Sequence, residues 1–171
     1  MKRLFILSVM LLLSNITFSQ SNGNGKPEME INKVINSFMQ SIIKKDSSTF
    51  LQLFAQNQVG WSSVTEAKSY ESMKKTSPNA SILYNGNHKS FIRWIVNNKE
   101  SLEEKFYNIK IRTDNCLASV SFDYGFFSSG KQKNWGQEDW ELVYNGTDWK
   151  IIGVYWSQNN QAITPEPKWH H

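Results

Sequence analysis

The chain has 171 residues, with 19 Lys and Arg against 15 Asp and Glu, one cysteine, and aromatic side chains at 13%. That length fits one domain able to bury a stable core, and one cysteine excludes an intramolecular disulfide. A formal charge of +4 with no basic tract gives no footprint of a nucleic-acid partner.

The chain opens Met1-Lys2-Arg3 and continues from Leu4 to Leu13 as an apolar run broken only by Ser8. A basic start and a short apolar core read as a signal peptide, and the run is too short for a stable membrane anchor. Thr17 and Ser19 supply the small residues that cleavage requires, so the cut is expected after Ser19. The sequence therefore predicts an exported protein, periplasmic or secreted: signal peptide 1–19, linker 20–27, domain 28–158 and a frayed tail 159–171. No lipid anchor is expected, because the only cysteine is Cys116, read as a small core residue. Removal of Lys2 and Arg3 leaves 17 basic against 15 acidic residues, a net charge of +2.

From Glu28 to Lys45, Ile31, Val34, Ile35, Phe38, Ile42 and Ile43 recur at spacings of three and four, one face of an amphipathic helix. Asp46 or Ser47 caps a second, short helix containing Phe50, Leu51, Leu53 and Phe54. Val59 to Val64 reads as a strand, Glu66 to Lys75 as a helix stopped by Ser77-Pro78, and Phe91 to Val96 as a helix after the turn Asn85-Gly86-Asn87.

After Glu103 the period changes to two. The first strand alternates Tyr107, Ile109 and Ile111 against Phe106, Asn108 and Lys110. The second sets Ala118, Val120, Phe122, Tyr124 and Phe126 on one face. The third carries Trp140, Leu142 and Tyr144, and Asn145-Gly146 turns it into a fourth, Trp149 to Ser157. Helices followed by a run of strands argue α+β: N-terminal helices packed on a curved antiparallel sheet of four to six strands.

A first amphipathic helix, a capped short helix, and a late meander ending in Trp140-Glu141-Leu142-Val143, a tight turn and Trp149-Lys150-Ile151-Ile152 together resemble the nuclear transport factor two-like superfamily. The likeness spans about residues 28 to 158 and is nearest to small exported bacterial members of unassigned activity. It implies a cystatin-like cone whose concave face and helices enclose a pocket. Scytalone dehydratase, ketosteroid isomerase and polyketide cyclases use that pocket for catalysis, and other members only for binding. It also implies that the outer sheet face can form a homodimer.

The alternation directs Glu138 toward the side of Phe122, Tyr124 and Trp140, where an apolar setting would disfavour its charge and raise its pKa. Glu138 is thus the leading acid–base candidate, with Tyr124 and His88 behind it. His88, the only histidine within the domain, has no orienting carboxylate at any evident spacing, and a solvated helix-start position fits it better. Trp61, Phe122, Tyr124, Glu138, Trp140 and Tyr155 are expected to line one cavity of a few hundred Å3 (roughly the size of small-ligand sites). No metal or nucleotide motif occurs, and neither a metal nor a cofactor is expected. The function expected is an exported pocket protein for a small apolar or aromatic ligand or a protein partner. The alternatives are a cofactor-free lyase or isomerase and a dimerising interaction module.

Intact-mass measurement of the exported fraction should give a mature chain beginning at Gln20. An unprocessed chain confined to the cytosol would refute export.

Overall fold

A computed structural model describes residues 25–56 and 59–167. The signal-peptide and cleavage expectations lie outside the described residues, as do His170 and His171.

Helix α1 (Lys26–Lys44) has Pro27 in its first turn, where a missing N–H costs nothing, and ends on Lys45 in the left-handed conformation. Its spacing of four, three and four buries Ile31, Ile35, Phe38 and Ile42 completely. Helix α2 (Ser47–Gln52) is capped by Asp46, which accepts from the Thr49 N–H at 3.0 Å. Strand β1 (Gly60–Thr65) follows, then α3 (Ala67–Thr76), whose first N–H groups donate to the Glu66 carboxylate. A three-residue strand β2 (Leu83–Asn85) leads to α4 (His88–Asn97), capped by Asn87. The meander is β3 (Leu102–Thr113), β4 (Leu117–Ser128), β5 (Lys131–Tyr144) and β6 (Trp149–Asn160).

The class is α+β: helices covering one face of an open six-stranded sheet of order β2-β1-β6-β5-β4-β3. One feature departs from the expected antiparallel sheet, since β1 runs parallel to β6. The expectation rested on the meander alone. The chain leaving α2 instead pairs along the free edge of β6, beginning where Ala55 N–H donates to Ile151 O and Ile151 N–H donates to Leu53 O. β2 went unread because three residues are too few to show an alternation.

Two bulges decide which side chains face the helices. In β3, Tyr107 pairs with Asp123 but Lys110 pairs with Ser121, so Asn108 and Ile109 together oppose one residue. Asn108 takes the left-handed conformation (φ 53°), which asparagine tolerates, and its amide donates to Asp123 at 2.8 Å. Before the bulge Leu102, Glu104 and Phe106 face inward, and after it Ile111 does. The expected alternation of Tyr107, Ile109 and Ile111 against Phe106 is thus broken at the bulge, and Phe106 and Ile111 share the covered face. In β6, Leu142 pairs with Ile151 and Glu141 with Gly153, leaving Ile152 as the extra residue. Ile151 then shares the covered face with Val154 and Trp156.

Two further expectations are overturned. The described part of the tail, up to residue 167, is tied down: Trp135 Nε1 donates to Thr164 O at 2.8 Å, Gln132 Nε2 donates to Glu166 at 2.6 Å, and the Thr164 hydroxyl donates to Glu66 at 3.2 Å. Cys116 is exposed, held in the β3–β4 turn where the Asp114 carboxylate accepts from the N–H groups of Cys116 and Leu117.

Phe122 is 3% exposed and packs on Phe106 and Trp140 at centroid distances of 4.1 and 5.2 Å. Phe122→Ala should cost about 3 to 5 kcal/mol. Ser121→Ala, on the outer face, should change stability by less than ~0.5 kcal/mol. Urea unfolding of both variants checks the register, and equal losses would mean that the faces are exchanged.

Candidate functional site

The concave face of the sheet and the helices enclose a cavity of about 190 Å3. Tyr124 stands at its centre on β4. Its β3 partner is Phe106, and its β5 partner is Gly136, which has no side chain. The phenol crosses that gap and donates to Ser157 O on β6 at 3.0 Å. The gap is obligatory, because a Cβ on Gly136 would meet Ser157 O at 2.1 Å. The β5–β6 pairing is interrupted there between Trp135 and Glu138, and the Gln137 N–H donates to the Ser157 hydroxyl instead.

Two carboxyls flank Tyr124. Glu138, 4% exposed, enters from β5 and accepts a 2.5 Å hydrogen bond from Trp140 Nε1. Glu104, 7% exposed, enters from β3, where its cross-strand neighbour is Phe126. Both line the cavity, and neither forms an ion pair among the described residues. Burial is the largest cause of their altered acidity, since desolvation penalises the charged form. It raises Glu138 to about 8, against the Trp140 hydrogen bond that favours the carboxylate, with the Asp139 charge adding to the rise. It pushes Glu104 well above the usual carboxylate range, with the Glu138 charge adding to the effect. The Tyr124 hydroxyl is raised by the same burial and by the two glutamates.

The remaining wall is aromatic. Trp156, Trp61, Phe91, Trp94 and Phe126 follow one another at centroid distances of 5.5, 5.3, 6.3 and 5.9 Å, an arc running from β6 through β1 and α4 to β4. Trp94 is 50% exposed and marks the mouth at α4. Asn134 and Gln158 add the other polar groups.

The structure brings Trp61, Tyr124 and Glu138 together at the cavity, and it sets Phe122 and Trp140 beneath it as packed support. Tyr155 is corrected: it is 46% exposed on the outer face, because the extra residue Ile152 gives its inward place to Trp156. His88 is buried rather than solvated, stacked on Phe54 at 4.3 Å, and it does not line the cavity. Its Nδ1 has no hydrogen-bond partner among the described residues, and desolvation followed by the Lys89 charge lowers its pKa. Glu104 was missed, although Glu103-Glu104 carried a signal: on a strand with one covered face, one of two adjacent glutamates must point inward. Among the described residues no group of His, Cys, Asp and Glu is placed to hold a metal ion. No described helix is long and apolar enough to cross a membrane. The outer face of β4 and β5 is polar, with Ser119 donating to Glu141 across the strands.

No protein-family model matches the chain, and no curated protein is similar to it in sequence. Solved structures are similar. An NTF2-like protein from Cytophaga hutchinsonii aligns with TM-score 0.56 and 11% identity, covering 79% of this chain and 99% of that one. A protein of unknown function with a cystatin-like fold from Nostoc punctiforme aligns with TM-score 0.55 and 12% identity, covering 77% and 90%. An NTF2-like protein of unknown function from Pseudomonas putida gives TM-score 0.56 and 12% identity, covering 76% and 84%. The chain has the cystatin-like fold of the NTF2-like proteins. At such identities the likeness establishes the fold, and function has to be argued from the cavity.

The raised pKa of Glu138 makes stability depend on pH. The folded protein holds a proton that the unfolded chain releases near the ordinary value of 4.5, so this contribution is complete below 4.5 and is lost as pH rises through about 8. Urea unfolding at a series of pH values should therefore show stability falling across that interval. Glu138→Gln should flatten the fall, and a variant with an unchanged pH profile would refute the buried, protonated carboxyl.

Proposed function

We propose that the chain is an exported pocket protein that binds one small ligand with an aromatic or apolar body inside the cone. The observation that carries this reading is the cavity itself: about 190 Å3, walled by the ring arc and supplied with a few convergent polar groups. A pocket of about 150 Å3 lined by apolar side chains suffices for a benzene-sized molecule, which sets the expected scale at a single ring. Export is supported by the basic and apolar start of the sequence.

A second reading, a cofactor-free lyase or isomerase, is favoured by Glu104. It gives Glu138 a partner carboxyl across the cavity, and two buried carboxyls whose hold on a proton is raised by desolvation are the elements of acid–base catalysis. Tyr124 would then act as a hydrogen-bonding group, whereas His88 lies outside the cavity lining.

Single-ring alcohols and amines should quench the tryptophan fluorescence of the folded protein, because Trp61, Trp94 and Trp156 border the cavity. Trp61→Ala should weaken binding by roughly tenfold, the scale of a lost aromatic contact. Asp139→Ala, on the outer face, should leave it unchanged. An absence of quenching with all such probes would refute the pocket reading.

A further inference from the structure

The two buried glutamates pose a charge problem that the protein leaves open. Glu104 is enclosed by β3, β4 and the helix layer, yet its carboxyl has no hydrogen bond or ion pair among the described residues, and it faces the cavity. Glu138 has one donor, the Trp140 indole. The other titratable group at the cavity is Tyr124, on β4 between them, and its hydroxyl is engaged with Ser157 O. From α1 the wall receives Phe38, from α4 Phe91 and Trp94, from β1 Trp61, and from β6 Val154, Trp156 and Gln158, so no described lysine, arginine or histidine lines it. Buried carboxyls are normally paired, and these have no cation among the described residues.

Resting on the pocket reading, we propose that the ligand is an organic ammonium, a protonated amine on a single ring or short apolar body, seated between Glu104 and Glu138 with its charge against the ring arc. The chemistry is complementary on both sides. Indole and phenyl faces carry the negative end of the ring quadrupole and attract a desolvated cation, tryptophan most strongly, and this arc contains three tryptophans. On the opposite side, each carboxyl that loses its proton gains a charge-assisted hydrogen bond from the ammonium. The proton released leaves to solvent, so the empty site stays near neutral and the filled site remains charge-balanced. A neutral ligand would leave Glu104 without a charged partner. An anionic one would be repelled by whichever glutamate ionises.

Isothermal titration calorimetry on the folded protein with benzylamine, benzyl alcohol and benzoate tests this, using two buffers of different ionisation enthalpy. Benzylammonium should bind about tenfold or more tightly than benzyl alcohol, and benzoate more weakly than either. Binding should release protons to the buffer and tighten between about pH 6 and pH 8, because ionising the carboxyls then costs less. Glu104→Gln and Glu138→Gln should each reduce the preference for the amine over the alcohol, and the wild-type comparison of the three probes stands even if a variant fails to fold. Benzyl alcohol binding as tightly as the amine, or amine binding without proton release, would overturn the ammonium assignment and leave the pocket reading intact. Failure of all three probes to bind would overturn both.

Discussion

Trp140 is the side chain through which the helix layer, the sheet and the cavity act on one another. Its ring lies 4.7 Å from Phe38 of α1, 5.6 Å from Phe106 of β3 and 5.2 Å from Phe122 of β4, all centroid to centroid. Its indole N–H meanwhile donates to Glu138. A buried indole must place its donor somewhere, and here the satisfied donor also fixes the orientation of a cavity carboxyl. Packing and site geometry therefore cannot be varied independently.

The second constraint is the pair of irregularities in the sheet. A strand alternates strictly, so one extra residue transfers every later side chain to the other face. The β3 bulge does this at Asn108, so that Ile111 joins Glu104 and Phe106 on the covered face. The β6 bulge at Ile152 does it between Ile151 and Val154 and delivers Trp156 in place of Tyr155. Without the second the cavity would lose the ring that begins the aromatic arc. Gly136 completes the arrangement by letting the Tyr124 phenol pass to Ser157 O.

The solved structures of similar shape share the architecture at 11 to 12% identity. A cone of this kind is a container, and its contents are set by which few side chains reach the concave face. Among the described residues those are an arc of rings and two carboxyls with no cation beside them. That combination points to a ligand bearing positive charge, and it distinguishes this cavity from one that is simply greasy.

What was legible in the sequence was local. Spacings of three and four fixed the buried stripe of α1, the alternation of β4 fixed the face that carries Phe122 and Tyr124, and Asp46 marked the start of α2. The α+β class followed from the order of those elements, and the cystatin-like cone from the family resemblance that they carry. Tertiary structure alone decided the partner of β1, the inward turn of Glu104, the exchange of Tyr155 for Trp156, the burial of His88 and the anchoring of the tail through Trp135 and Thr164. The reason is physical: periodicity reports a side chain's direction only relative to its neighbours in the same unbroken strand. A bulge, an edge pairing or a long-range hydrogen bond is settled by which segments pack together, and no window of adjacent residues contains that information.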